Sequence, residues 1–508
     1  MIMKWLSAGT AAAVLAAAGP GLAQAPAQAP APAPARAPVP TGVDKMCEAN
    51  PPIKASGSDW STFGVDANTS RYQPNPGIKT ADVTRLKLKW SFAMAGGGGP
   101  TVVGDWLFIT NRNGRFYALD AKTGCVHWVS SIGSRTTPFV TRSAISPSGW
   151  AVFIGERNRT VHAIDAQNGM EIWKSPVLEA NPVAGITGAV VVSGDRVFVP
   201  LTSGEEGAAR QDSYACCTFR GSLAALDLKT GAKLWQTYVV TEPLQPTRKN
   251  AKGVQLQGPA GGAIWSAPTV DEKRGLVYMA TGDSYTEADT KGADAIVAMD
   301  IKTGQTRWSN QVTEADNFVM GCTEVVKTTN CPTPDGPDYD FGSSPILMSV
   351  AGGKQVLVSG QKSGIVYGMD PATGKTLWQQ KVGTGSAIGG IEWGMASDPK
   401  RVFVANSDAI NLMDAVMRPK GVLIIGTAQA PGKPNLSAVD PRTGKVLWTT
   451  PTPAAPCKYA GDRSSDYAKG ACINASSAAP AAMPGVVFSG ATDGWFRAYD
   501  AGTGKIVW

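Results

Sequence analysis

The chain has 508 residues, 17 % of them charged and 43 % hydrophobic, with 58 glycines, a balance too polar for a membrane-spanning transporter and too apolar for a disordered protein. Its two histidines, His127 and His162, leave a histidine-rich zinc site, a Ser-His-Asp triad and a Cys-x-x-Cys-His haem attachment site poorly supported or absent. The formal charge of +7 is spread without a Lys/Arg block, so it carries no nucleic-acid footprint and reads as a solubility feature.

Met1 to Lys4 holds one positive charge, Trp5 to Ala18 is an apolar run, and Ala23-Gln24-Ala25 offers the small residues of a signal-peptidase site. Residues 1–25 therefore read as a cleaved signal peptide. The run is too short to favour a transmembrane helix, which implies export to the periplasm with no membrane span after cleavage; the competing reading is a membrane-tethering N-terminal helix. Pro26 to Pro40 is almost wholly Ala and Pro and suits an extended, solvated spacer. This gives a linker over 26–45 and one folded domain over 46–508.

Eight cysteines in an exported chain are expected to pair where geometry permits. Cys322 with Cys331, and Cys457 with Cys472, make local staples in loop-like stretches, and Cys47 with Cys125 is left as a long-range pair. Cys216 and Cys217 are neighbours, with Cα atoms about 3.8 Å apart across a trans peptide, closer than the usual disulfide span.

From Tyr117 onward one pattern recurs: a short alternating strand, Ala (once Gly) two residues before Asp, a Thr-Gly or Asn-Gly turn, and Trp eight residues after the Asp. It reads YALDAKTGCVHW ending at Trp128, HAIDAQNGMEIW at Trp173, AALDLKTGAKLW at Trp235, VAMDIKTGQTRW at Trp308, YGMDPATGKTLW at Trp378, SAVDPRTGKVLW at Trp448 and RAYDAGTGKIVW at Trp508. Asp accepts backbone N–H groups in such turns, Gly supplies positive φ, and the flanks alternate as in a half-buried hairpin. These Asp and Trp residues are therefore structural. The repeated aspartates are 45 to 73 residues apart, room for a four-stranded antiparallel sheet plus loops, which is a propeller blade. LKLKW, ending at Trp90, adds an eighth outer-strand signature. The fold class is all-β, one β-propeller. Its function should sit in the long irregular loops, Val177 to Ala189, Leu201 to Phe219, Thr281 to Asp294 and Thr313 to Ser344.

The repeats, the opening DWSTFGVDANTSRYQPNPGIKTADVTRLKLKW and the stretches YACCTFRGSLAALD and GPDYDFGSSPIL together resemble the quinoprotein alcohol dehydrogenases, most closely the polyvinyl-alcohol dehydrogenase branch. That resemblance implies pyrroloquinoline quinone and a metal ion, calcium or a lanthanide, at the propeller axis. It places Trp265 of GGAIWSAPTVD as the stacking indole. Thr187 of ITGAVVV and Arg142 of TRSAIS fall at positions that bond the quinone carboxylates. Glu206 of TSGEEG, with Glu205 beside it, and Asp283 of ATGDSY, where many relatives have Asn, fall at metal-ligand positions.

In GPDYDFGSSPIL, Asp338 matches the family's catalytic aspartate. Asp340 lies two residues on and so shares a strand face with it, which lets both carboxylates serve one ion; lanthanide-using relatives resemble this chain there. Lys362 of SGQKSG matches the cation beside the quinone carbonyls. By resemblance, Asp338 takes the alcohol proton while hydride passes to the quinone, and metal and Lys362 stabilise the developing charge. Cys216 and Cys217 either cap the cofactor from an unusual loop or form two separate bridges. Trp393 of GGIEWGMASD reads as cofactor-facing, although Glu392 replaces the usual amide, and GGGGP at Gly96 to Pro100 lacks an acidic residue many relatives carry.

No haem motif is present in the sequence, so a separate cytochrome c or another carrier is the expected electron acceptor. A non-catalytic propeller scaffold of the cell envelope is the alternative function. By analogy with the family, in which the N-terminus gives the outer strand of the last blade, the expectation is an eight-bladed design whose last blade is incomplete, the chain being a C-terminally truncated fragment. The competing account is a complete seven-bladed ring with a stray N-terminal strand.

Overall fold

The computed structural model describes residues 45–94, 96–287, 290–322, 328–408, 433–453 and 475–508. Cys457 and Cys472, paired in the sequence reading, lie outside them. Helix is confined there to two 3-10 segments and one α turn, Glu205–Ala208, and none is long and apolar enough to cross a membrane.

Each repeat becomes an antiparallel sheet. In the first, β1 (Thr101–Val103), β2 (Trp106–Asn111), β3 (Arg115–Asp120) and β4 (Val126–Ser130) pair in chain order. Seven sheets of this kind follow one another among the described residues. Their innermost strands are β1, Phe139–Arg142, Val191–Ser193, Thr269–Asp271, Ile346–Ser349, Ala396–Asp398 and Ala481–Met483. Second strands such as Trp150–Gly155 are buried along their whole length, because neighbouring sheets cover both faces. Outer strands such as Thr376–Lys381 alternate between partly buried and exposed.

The repeat residues join sheet to sheet. Asp120 Oδ1 accepts the N–H groups of Lys122 at 3.1 Å and Thr123 at 2.7 Å, which folds the turn and leaves Gly124 at φ +75°. A Cβ on Gly124 would lie 2.8 Å from the Trp90 ring, so glycine makes room for the indole. Trp90 Nε1 then donates to the Ala121 carbonyl at 3.1 Å, Trp128 to Ala166 at 2.9 Å, Trp378 to Pro441 at 2.9 Å and Trp448 to Ala501 at 3.1 Å. Trp128, Trp378 and Trp448 are the pegs by which one outer strand holds the next sheet's turn, and Trp90 does the same from a segment outside any strand.

The strand expected to end at Trp90 is not formed; residues 86–94 carry no ladder and are held by side-chain packing instead, Trp90 and Phe92 lying against Tyr117, Leu119 and Val126. The seventh sheet has three full strands, and Ile506 occupies its outer position through a single bridge to Tyr499. Disulfides close between Cys47 and Cys125, Cys322 and Cys331, and the adjacent Cys216 and Cys217.

The innermost strands surround a common axis, and one segment shows it. Between Trp60 and Gln73 the chain exchanges backbone hydrogen bonds with Val102, Val140, Val270, Leu347, Ser397 and Ala482, touching the innermost strands of six sheets. So short a strap reaches all of them only if they converge.

Candidate active site

In this topology two kinds of loop leave the same end of the sheets, those joining second to third strands and those leading from an outer strand to the next innermost strand. Glu206, Asp283 and Lys362 lie on loops of the first kind in successive sheets; Thr187, Trp265, Asp338, Asp340 and Trp393 lie on the second. The strand order thus gathers residues as far apart in sequence as Thr187 and Trp393 at one end of the axis.

At its centre is a buried charge cluster. Lys362 Nζ donates to Asp338 Oδ1 at 2.6 Å and Asp340 Oδ2 at 2.9 Å, and the Lys362 backbone N–H donates to the Asp340 carbonyl at 3.0 Å. Asp340 Oδ1 also accepts the Asp283 N–H at 2.6 Å. That approach is open because residue 282 is glycine: a Cβ there would stand 2.5 Å from Asp340 Oδ1. Carboxylate oxygens of Asp283, Asp338 and Asp340 lie within 4.8 Å of one another, and Asp283 Oδ2 is buried without a hydrogen-bond partner.

The electrostatics follow from this crowding. Burial pushes the carboxyls of Asp283 and Asp338 well above their ordinary range; for Asp338, Lys362 pulls the other way. Glu206 is raised to about 7, by burial first and Asp340 next, with Lys362 opposing. Burial works against the Lys362 charge, but Asp338, Asp340 and Glu206 outweigh it and hold the ammonium protonated well past its usual range. Four acids share one ammonium, so the cluster has room in its charge balance for a further cation. An unpartnered buried oxygen and an all-carboxylate donor set fit a hard ion such as calcium or a lanthanide.

Beside the acids stand flat apolar walls. The Trp265 ring centre lies 5.7 Å from Lys362 Nζ and 5.2 Å from the Trp393 ring, the two indoles meeting edge to face. Trp393 is 43 % exposed. Thr187 precedes Gly188, which lies against the Ser266 carbonyl, so it borders the Trp265 segment. Cys216 and Cys217 are buried in the same apolar cluster that Trp265 packs against, and their backbones pair with Gln257.

The adjacent glutamates divide their work. Glu205 is fully buried and accepts the Tyr214 hydroxyl at 2.8 Å and the N–H groups of Thr218 and Phe219 at 2.8 and 2.7 Å. It folds the Cys216–Cys217 loop, which frees Glu206 to face Asp340. Glu392 is partly buried beside Trp393, with its carboxyl raised to about 7 by burial.

Arg142 is a correction. It ends an innermost strand at the opposite end of the sheet, exposed, with its guanidinium 4.6 Å from the Trp150 ring. The arginine at the site is Arg135, on the loop entering that same strand, 5.7 Å from the Trp393 ring centre. Burial, and then Arg112 and Arg157, lower its pKa, and no carboxylate among the described residues is in ion-pair range of it. A planar group with several carboxylates matches this arrangement of indole walls and cations.

Residues 60–320 match the family described as glucose/ethanol/alcohol dehydrogenase, beta-propeller domain, and residues 362–508 that described as outer membrane protein assembly factor BamB. The chain is 42 % identical to a polyvinylalcohol dehydrogenase of Pseudomonas sp. over 90 % of its own length and 68 % of that protein's. It is 38 % identical to one from Sphingopyxis sp. strain 113P3, over 91 % and 69 %. The quinohemoprotein alcohol dehydrogenase of Comamonas testosteroni has a similar fold, with a TM-score of 0.62 at 19 % identity over 89 % of this chain and 72 % of that one.

Proposed function

The chain belongs to the pyrroloquinoline quinone-dependent alcohol dehydrogenase family, and from that premise we propose that it is an exported, periplasmic enzyme oxidising a primary or secondary alcohol. Polyvinyl alcohol is the first substrate to test, because two relatives carry that name. The observation that carries the reading is the convergence of Asp283, Asp338 and Asp340 on Lys362 beside Trp265.

In this reading Trp265 and Trp393 form the walls for the quinone, Arg135 and Thr187 take its carboxylates, and Cys216–Cys217 closes the pocket. Glu206, Asp283, Asp338 and Asp340 hold the metal. When bound, quinone and metal supply a two-electron acceptor and a Lewis acid for a hydride-transfer oxidation. Asp338 accepts the alcohol proton once ionised. Lys362 supports that role by favouring the carboxylate form of Asp338 against the cost of burial. The same ammonium remains charged and lends positive potential where oxygen charge develops. Electrons then pass to a separate cytochrome c or another carrier.

The scaffold reading draws on the similarity of residues 362–508 to BamB, but a scaffold has no use for buried acids around one lysine, which are costly to maintain. Reconstituting the purified chain with pyrroloquinoline quinone and calcium or lanthanum, then following dye reduction with polyvinyl alcohol and short alcohols, tests the proposal. Metal- and quinone-dependent reduction is expected. Absence of quinone binding with either metal would favour the scaffold.

A further inference from the structure

We propose that Asp316 is a positioning residue for the oxidation: it fixes the turn that carries Asp338 and ties that turn to the loop that carries Asp283. The inference rests on reading Asp338 as the base and its neighbours as the cation site.

Asp338 has φ +59°, a left-handed conformation that is uncommon for a residue with a Cβ, though Asp tolerates it better than most, and that its surroundings here support. The supporting group is the Asp316 carboxylate. Its Oδ1 accepts the Asp338 N–H at 2.9 Å and its Oδ2 accepts the Tyr339 N–H at 2.6 Å, so two consecutive amides are aimed at one buried side chain. Gly336 leaves the space, since a Cβ there would collide with the same carboxylate.

The backbone around Asp316 grips the other side of the cluster. Its carbonyl accepts the Ser284 N–H at 3.1 Å, the Ser284 carbonyl accepts the Phe318 N–H at 2.8 Å, and the Asn317 carbonyl accepts the Gly336 N–H at 2.7 Å. Ser284 directly follows Asp283. One short segment therefore sets the spacing between Asp283 and the Asp338–Asp340 pair. Asp316 is not itself a ligand in this scheme, because its carboxylate serves the two turn amides and is not one of the three acids, Asp283, Asp338 and Asp340, whose oxygens cluster within 4.8 Å.

The test uses the full chain carrying Asp316→Ala, Asp316→Asn and, as a control, the core substitution Val297→Ala in a sheet interior. Each protein is first stripped of metal and titrated with terbium by luminescence. It is then loaded with quinone and calcium for kcat and KM. A base held off its position by a fraction of an ångström to an ångström loses rate by up to about a hundredfold. The expected result for Asp316→Ala is a kcat lower by about 30-fold with KM changed less than about threefold, and terbium affinity lower by about tenfold. Asp316→Asn keeps one acceptor and should fall between wild type and Ala, while Val297→Ala keeps wild-type terbium affinity and kcat at whatever melting temperature it has.

Folded Asp316→Ala or Asp316→Asn protein with wild-type terbium affinity and kcat would overturn the inference. So would equal losses in Val297→Ala, which would mark the effect as general destabilisation. A wild-type chain that bound neither terbium nor quinone would instead remove the active-site reading and this inference with it.

Discussion

The Lys362 ammonium stands 2.6 Å from Asp338 Oδ1, and both side chains are almost wholly buried. Removing one partner of such a pair leaves an uncompensated buried charge, which typically costs about 3–5 kcal/mol. Lys362→Met should therefore lower the stability of metal-free protein by about 3 kcal/mol, and added calcium should restore part of it, because the ion replaces the missing positive charge. Urea denaturation in chelator and in calcium measures both numbers. A variant as stable as wild type in chelator would show that the acids do not depend on Lys362.

Gly342 touches Trp265 so closely that any Cβ there would overlap the indole. Gly342→Ala is expected to displace the ring and weaken quinone binding by about tenfold or more, read by quinone-dependent quenching of tryptophan fluorescence. Gly77→Ala is the matched control, since a Cβ at Gly77 meets nothing within 4 Å. Equal affinity in the two variants would remove Trp265 from the binding wall.

Arg135 and Arg142 are seven residues apart and at opposite ends of one strand. Arg135→Ala should lower quinone affinity by at least about tenfold, the scale of losing one charge-assisted contact, whereas Arg142→Ala should leave it unchanged. The reverse outcome would mean that the quinone carboxylates lie elsewhere.

That pair also shows where sequence reading stops. The repeated Asp, Gly and Trp were legible because each acts on a neighbouring turn at a fixed offset, whereas Asp338, Asp340 and Lys362 stood out only through the resemblance of GPDYDFGSSPIL and SGQKSG to a known family. The resemblance of TRSAIS places Arg142 at the quinone, but alternation along a strand reveals which face a residue takes and not which end of the sheet it occupies, and no motif in the sequence marks Arg135. LKLKW reads as a strand, yet a strand exists only with a partner, and residues 86–94 have none among the described residues. Asp316 lies in a long loop without periodicity, and its role is visible only once two amides are seen to converge on it. The Trp60–Gln73 strap depends on contacts with segments up to about four hundred residues away in sequence, as with Arg71 and Pro480, beyond any local pattern.

The raised carboxyls predict an unusual pH response. Glu206 and Glu392 go from an ordinary 4.5 to about 7, and Asp316 from 3.8 to about 6, with burial the leading cause in each. Between those values the folded chain holds protons that the unfolded chain has released, so stability falls as pH rises through that window. The turn aspartates Asp120, Asp227 and Asp500 are lowered instead and take stability away only on acidification below the ordinary carboxylate range. Metal-free protein should thus be most stable at about pH 4 and weaken toward about pH 7. Calcium should flatten the decline, since ionised acids bind it more tightly. Urea midpoints across this range with and without calcium provide the check, and a metal-free midpoint that climbs steadily from about pH 4 to about pH 7 would contradict the protonation states assigned to the cluster.

Arg71 is the keystone of the strap. Its guanidinium donates to the Phe63 carbonyl at 2.7 Å, the Pro480 carbonyl at 2.7 Å and the Ala479 carbonyl at 3.4 Å, lies 4.6 Å from the Phe63 ring centre, and has no carboxylate in ion-pair range among the described residues. Burial lowers its pKa to about 10, so it remains charged at neutral pH, satisfied by carbonyl dipoles and an aromatic face. Gly394 packs against both Phe63 and Arg71, which connects the strap to Trp393 one residue away. Arg71→Leu leaves the three carbonyls without that donor and should cost about 2–4 kcal/mol. It should also loosen the Trp393 wall, so quinone affinity falls beyond what the stability loss explains. Arg71→Lys keeps the charge but reaches fewer carbonyls and should lose less of both. If Arg71→Leu loses stability while its quinone affinity at a temperature where it is fully folded equals that of wild type, the strap closes the axis without shaping the site.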